Sequence, residues 1–489
     1  MPALAPHTSQ TAWGLNFPRR DRRLTAMART LATCLSIVLA LAAGDAAAQT
    51  APSRLTPTTQ PVTAAAPRTL TPADSAARDL ATYLDRASKL KEDDVDGRMS
   101  LARWCRDREM WTQAAEMADQ VLYRDPGNRA AYLILQQVDD ARALPDDPAA
   151  ADALKAEFAH RFGHDFATRN TKHFLMCFDT PADLAVKQGT AMEKSYDAFL
   201  FYFNFGTLRP DFLDHRLVAV FLAKRDDYVA YGKETEGTDI GWSAGYYSKR
   251  TNRFCFFDDS NGINLADLND QAGTLKQKID ALNKDIAAAN LQNQLGMVNT
   301  LTVERNRVGE TLYALNNEIN TKATFYNKNT TMHETAHQIA FNMGIQSRFV
   351  DYPPWFSEGL ACSFETEDAL GHRGPALINY GRIGFLKDAI NAGTVPSIAD
   401  FITAEPPSTA DTKAMGLLYA QGWGLFHFLY KYHREGMEQY LLAYKTHAPF
   451  RRIGADERRV LFTRAFGGDL DELNKKFLAY FKAAPSRPR

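Results

Sequence analysis

The stretch Met332-His333-Glu334-Thr335-Ala336-His337-Gln338 constrains this chain more than any other. On a helix, positions i and i+4 share one face, so His333 and His337 can both aim a ring nitrogen at a single ion. Glu334 stands beside them without being a ligand, placed to take a proton from water whose pKa a zinc ion has lowered. Thr330 and Thr331 are good N-cap residues, Ile339, Ala340 and Met343 continue an apolar face, and Gly344 suits a helix stop. The spacing therefore predicts a helix over Thr331–Met343. Two unrelated surface histidines are the bland alternative, and a chain with only 11 histidines gives it little room.

A catalytic zinc takes three protein ligands and keeps one position open. The third is expected on a following element, and Pro353-Pro354-Trp355-Phe356-Ser357-Glu358-Gly359-Leu360-Ala361 supplies one. Pro354 suits a first helical turn. Gly359 and Ala361 are small, which predicts a close approach to the His333 helix. Glu358 completes a His, His, Glu set, with Glu365 and Glu367 as weaker candidates for the same place.

HExxH followed by Trp355-Phe356-Ser357-Glu358-Gly359-Leu360-Ala361 resembles the gluzincin zinc metallopeptidases. The W-x-x-E-G-x-A element is similar to that of the aminopeptidase-N-like enzymes. The fuller string from His333 to Glu365 resembles exported bacterial proteins that carry an uncharacterised domain of the peptidase MA-like superfamily. The resemblance implies a zincin-like core, zinc on His333, His337 and Glu358, and Glu334 as general base and acid. It also implies an oxyanion donor: Tyr419-Ala420-Gln421-Gly422 matches a Y-x-x-G element whose phenol serves that purpose. A core aromatic is the alternative for Tyr419, and His427 and Tyr380 are lesser candidates for the donor. No G-x-M-E-N segment, which binds a free amino terminus in the aminopeptidases, is present. Ser243-Ala244-Gly245-Tyr246 offers an edge strand for an extended substrate but no carboxylate for an amine. Endopeptidase action is the expectation.

Around this site the chain reads as six parts. Residues 1–48 hold five arginines against two aspartates, an apolar run from Leu31 to Ala43 and Ala46-Ala47-Ala48, the marks of a cleaved signal peptide and hence of a periplasmic or secreted protein. The run is shorter than the ~20 residues a membrane span needs. Met27 is a candidate alternative start, and the placement of Cys34 argues against lipid attachment. Residues 49–73, rich in Thr, Pro and Ala, read as a disordered linker. Residues 74–160 are patterned as helix, and Leu101–Tyr132 resembles a tetratricopeptide (TPR) helix pair. Residues 161–262 carry strand-like runs at His173–Phe178, Arg216–Leu222 and Arg253–Phe257, with a hairpin turn at Lys249–Asn252 and a helix over Ala191–Phe205. Residues 263–325 show two 4-3 apolar seams, from Leu268 to Ala289 and from Met297 to Ile319, broken near Gly296, which predict an inserted antiparallel helical hairpin of coiled-coil type. Residues 326–485 are expected to form the helical zinc-binding subdomain.

The predicted class is α+β: a small sheet and a helical active-site subdomain, preceded by helices and interrupted by a hairpin. A composition of 45% hydrophobic and 24% charged residues excludes a wholly disordered chain and a polytopic membrane protein. With 57 Lys+Arg against 58 Asp+Glu, nothing points to nucleic acid. Once the signal is removed no stable membrane span is expected. Cys177 and Cys255, both in strand-like runs, are candidates for a disulfide, with buried free thiols slightly preferred. The expected activity is hydrolysis of peptide or protein substrates by metal-activated water, with Zn2+ as cofactor. The alternative is an envelope binding or assembly protein that holds a protein partner on the helical repeat or the hairpin, its zinc site structural or vestigial.

Overall fold

A computed structural model describes residues 72–485, except 126, 204–207, 259, 261–264, 369, 370 and 372. The expected signal and nearly all of the linker lie outside the described residues. Among the described residues no helix is long and apolar enough to cross a membrane.

The fold of the described residues is mixed α+β with one five-stranded sheet. Among the described residues five helices come first: α1 Pro72–Ser88, α2 Val95–Arg106, α3 Trp111–Arg124, α4 Arg129–Ala141 and α5 Pro148–Phe162. Asp94, Asn128 and Asp147 cap three of them by accepting from backbone N–H groups in the first turn. Ala102, Ala114, Ala118, Val121, Leu122 and Leu135 form a core of their own among α2, α3 and α4.

The sheet comprises β1 Ala167–Asn170, β2 Phe174–Phe178, β3 Leu217–Leu222, β4 Gly245–Ser248 and β5 Arg253–Phe257, in the order β1-β2-β3-β5-β4. β2, β3 and β5 are parallel, and the two outer strands run antiparallel to their neighbours. The inner strands read FLMCF, LVAVFL and RFCFF, near-continuous apolar runs of the kind a sheet covered on both faces requires. α6 Ala182–Tyr202 and the helix that carries His333 cover one face, while α5 and α7 Arg225–Glu236 cover the other. The sequence did not suggest β1 or α7: β1 reads ATRN and is mostly exposed, so it has no apolar alternation to detect.

All four cysteines of the described residues are free and buried. Cys177 on β2 and Cys255 on β5 both pair with Val220 of β3. Two strand spacings of about 4.8 Å separate them, beyond the ~7 Å that a disulfide can bridge. The pairing alternative is therefore excluded.

A buried polar knot ties α4 to the sheet. Asp139 accepts from the Tyr196 hydroxyl at 2.9 Å, contacts His173 Nε2 at 2.9 Å and pairs with Lys172. His173 Nδ1 meets Glu193 at 2.6 Å, and the His173 and Tyr196 rings stack with centroids 3.6 Å apart.

The hairpin is α8 Ala266–Leu291 and α9 Leu295–Asn342. Its turn lies at 292–294, and Gly296 sits inside α9. Ala272, Leu282, Ala289, Val308 and Ile319 are buried along the seams, and Lys278 reaches across to Glu304 at 2.7 Å. Here the structure corrects the sequence reading. No new helix starts at Thr330 or Thr331: both lie inside α9, whose 48 residues run from the hairpin tip through His333, Glu334 and His337. At 1.5 Å per residue it is about 72 Å long. It stops as expected, with Gly344 at φ +76° directly after the cap residue Met343.

The remaining helices are α10 Pro354–Cys362, α11 Tyr380–Asn391, α12 Ile398–Phe401, α13 Thr412–Tyr432, α14 Arg434–Lys445, α15 Ala455–Phe466 and α16 Leu470–Ala483. They enclose an aromatic core that includes Trp355, Phe356, Phe426, Tyr440 and Phe462.

Candidate metal centre

α9 presents His333 and His337 one turn apart, with ring centroids 4.9 Å from each other. α10, opened by Pro354 in its first turn, brings Glu358 to both. Glu358 Oε2 lies 3.1 Å from His333 Nε2 and 3.5 Å from His337 Nε2. A tetrahedral ion with bonds of about 2.0–2.1 Å has ligands about 3.3–3.4 Å apart, so these spacings and this N, N, O donor set fit zinc. Burial works against the Glu358 carboxylate, but the charges and hydrogen bonds of His337 and His333 hold it well below the usual range.

The approach that delivers Glu358 differs from the expected one. Gly359 does not face α9; it faces α13. A Cβ there would lie 2.3 Å from the Gly422 carbonyl oxygen, and one on Gly422 would lie 3.2 Å from the Trp355 carbonyl. Two glycines thus let α10 and α13 touch through their backbones, and α13 is the helix that carries Tyr419.

Glu365 is not a third ligand. It meets the other nitrogen of His333, Nδ1, at 2.9 Å. Asn379 Nδ2 donates to Glu365 at 2.9 Å, and Arg382 donates through Nε at 2.8 Å and Nη2 at 2.6 Å. A carboxylate on the far nitrogen fixes the ring and leaves Nε2 for a metal. Cys362 Sγ lies 3.9 Å from the same Nδ1. Cys362, Glu365 and His333 form a second donor cluster, but the guanidinium on Glu365 already supplies the cation there. Glu367, the other weak ligand candidate, pairs with Lys328 and Arg373 outside the metal-donor cluster. Asn379 is the N-cap of α11, accepting from Gly381 and Arg382 N–H groups. A cap residue by type could be read in advance; nothing in the sequence pointed to Arg382.

Glu334 lies at the junction of two lobes of a cleft, both lined by Ser243, Gly245, His333, Glu334 and Tyr419. Burial raises its carboxyl above the ordinary range, against the pull of His333, His337 and the nearby Tyr247 backbone N–H. β4 passes close to this turn of α9: a Cβ on Gly245 would lie 2.6 Å from Thr330 Cγ2 and 3.4 Å from Glu334 Cγ.

Tyr419 faces the cleft. Its ring centroid is 5.8 Å from that of His333, and the Arg382 guanidinium lies 5.1 Å over its face. Burial, followed by the Glu358 charge, pushes its phenol far up, so it stays a proton donor at neutral pH. Tyr380 also lines the cleft. His427 does not; it is a buried core residue held by the Pro375 carbonyl and the Tyr480 hydroxyl, each at 2.8 Å.

Residues 327–451 match a protein family of unknown function, DUF1570. That span contains His333, Glu334, His337, Glu358, Glu365, Arg382 and Tyr419. No curated protein matches the chain.

Proposed function

We propose that this protein is an exported zinc-dependent endopeptidase with a zincin-like core. One observation carries the reading: two imidazole nitrogens and one carboxylate oxygen converge at zinc-ligand spacing, with an unshared glutamate beside them in an open cleft. Zinc bound by His333, His337 and Glu358 would supply Lewis acidity and lower the pKa of water. Glu334 takes the proton from the attacking water and returns it to the leaving amine. Glu365, held by Arg382 and Asn379, keeps the His333 ring turned so that Nε2 faces the ligand set. The Tyr419 phenol, still protonated, donates to the oxygen on which charge develops. The HExxH…Glu resemblance to gluzincins supports this assignment, and the basic, apolar first 48 residues support export. The helices α2 and α3 fit a TPR-like spacer.

The test is Glu334→Gln. That variant should keep one zinc per chain and lose peptide hydrolysis by a factor of at least about 10², while His333→Ala loses the metal. Wild-type turnover in Glu334→Gln would refute the mechanism, and a folded, active, metal-free wild type would refute the site.

A further inference from the structure

Resting on the peptidase reading above, the geometry points to a substrate subsite: we propose that the cleft takes a bulky apolar or aromatic side chain on the residue immediately N-terminal to the scissile bond, within a continuous polypeptide.

The two lobes differ in what lines them. The first, a cavity of about 440 Å³, mixes the polar groups Asn329, Thr330, Asn379 and Arg382 with the rings of Phe325, Tyr326 and Tyr380. The second, of about 380 Å³, is lined by Trp242, Phe341, Tyr352, Met415 and Leu418. Its charged groups, other than the proposed catalytic and ligand residues, come down to Lys249, whose ammonium lies 5.6 Å over the Phe341 ring.

The direction of β4 decides which side of the bond each lobe serves. Gly245 sits against Thr330 and Glu334, Tyr247 stacks on Phe341 at 5.5 Å, and Asn252, just past the strand, bonds Asn342 at 2.8 Å. β4 therefore runs in the same sense as α9. The Ala244 carbonyl accepts from Phe257 N–H, so alternate residues of β4 face β5, and Gly245 and Tyr247 turn their backbone groups outward, the Tyr247 N–H toward Glu334. β4 is an outer strand, open to an added one. Antiparallel pairing is the more stable choice. A peptide added that way runs from the Phe341 end to the Thr330 end and crosses Glu334 between them. Its N-terminal half lies over the second lobe, where Trp242, Phe341, Tyr352, Met415 and Leu418 gather. Burying a large apolar side chain there favours such substrates by ~10- to 100-fold over glycine. A free α-ammonium on the same side would meet Lys249, a like charge, so an internal residue binds better than a terminal one.

Zinc-loaded protein incubated with a peptide library should yield cuts, mapped by mass spectrometry, enriched at least about tenfold for Phe, Tyr, Trp, Leu or Met directly before the cleaved bond. Amino-terminal acetylation should not reduce cleavage. Met415→Glu should remove the enrichment. In a second arm, the inactive Glu334→Gln protein is titrated calorimetrically with an acetylated peptide bearing Phe or Gly at that position, and Phe should bind at least about tenfold tighter. Cleavage without the preference, enrichment on the C-terminal side of the cut, or equal binding of the two peptides overturns the subsite alone. A zinc-loaded wild type that cleaves nothing overturns the peptidase reading on which it rests.

Discussion

Gly359→Ala should damage both the fold and the metal centre, because one contact serves both. The added Cβ would lie 2.3 Å from the Gly422 carbonyl oxygen and 2.7 Å from its carbon, where ordinary contact begins near 3.4 Å. The obstacle is helix backbone, so no rotamer change relieves it. α10 and α13 must separate by about 1 Å, a degree of overpacking that costs about 1–3 kcal/mol. Glu358 precedes Gly359 in sequence and moves with it. Metal sites tolerate about 0.2 Å in ligand distance, so a shift of this size takes Oε2 out of reach of an ion held by His333 and His337. Urea denaturation of the metal-free protein should show the lower midpoint, and chelator competition should show weaker zinc. Gly309→Ala is the control. It lies inside α9 with nothing within 4 Å of the new Cβ, so the same substitution should stabilise by about 0.5–1 kcal/mol through helix propensity. Wild-type stability and zinc affinity in Gly359→Ala would refute the claim that this glycine pair sets the position of Glu358.

Glu365→Gln removes the charge that orients His333 Nδ1 and leaves Arg382 without its partner, while every zinc donor remains. Chelator competition should show zinc held about 10- to 100-fold more weakly, and unchanged affinity would mean that the ring is fixed by packing alone. The His173 knot should give the protein a stability maximum in mildly acidic solution. Burial lowers the His173 pKa, but hydrogen bonds to Asp139 and Glu193 more than offset this and raise it above 6.5. Its contribution is thus complete below pH 6.5 and fades as pH rises through the higher folded value. Burial raises the pKa of Asp139 and of Glu193, yet His173 holds both below their ordinary values. Their contribution is present above those values and fades as pH falls through the lower folded ones. His173→Gln should flatten the alkaline limb of a stability–pH profile measured by denaturant midpoint. An unchanged limb would place the dependence elsewhere.

The chemistry of the site was legible where it depends on local spacing. His333 and His337 face one way because a helix turns 100° per residue, and Glu358 could be placed because Pro354 marks a helix start. Long-range partners left no such trace. Glu365 looked like a spare ligand, yet it supports the ring from behind through Asn379 and Arg382, which lie 14 and 17 residues further on. Gly359 was read correctly as a close-approach residue but against the wrong helix, since smallness does not name a neighbour. Strands β2, β3 and β5 announced themselves through unbroken apolar runs, whereas β1 is polar and mostly exposed and pairs only with β2.

Thr330 and Thr331 are cap residues by type but not by place. A threonine caps a helix only where the preceding backbone leaves helical geometry, and here it does not. A line of buried residues instead runs without a break from the hairpin seam into the site: Ile319, Ala323, Asn327, Thr331, Thr335 and Gln338, spaced four or three apart along α9 and winding about 40° round it with each step of four. Its upper part packs on α8, whereas Asn327 and Gln338 in its lower part bond to the ends of the sheet. Asn327 donates to Asp258 at 2.7 Å, and Gln338 Nε2 donates to the Val218 and Asn252 carbonyls at 2.9 and 3.2 Å. The stripe changes from apolar to polar at the point where its partner changes from a helix seam to strand ends. Pattern analysis therefore sees two segments, because it tracks hydrophobicity, while the backbone sees one helix. At the level of the site His333 and His337 lie on the opposite side of that helix from Thr331 and Thr335. Their direction into the cleft is set by the sheet-bonded stripe at their own level, and the arm beyond Phe325 rises from a helix already fixed in rotation by the core.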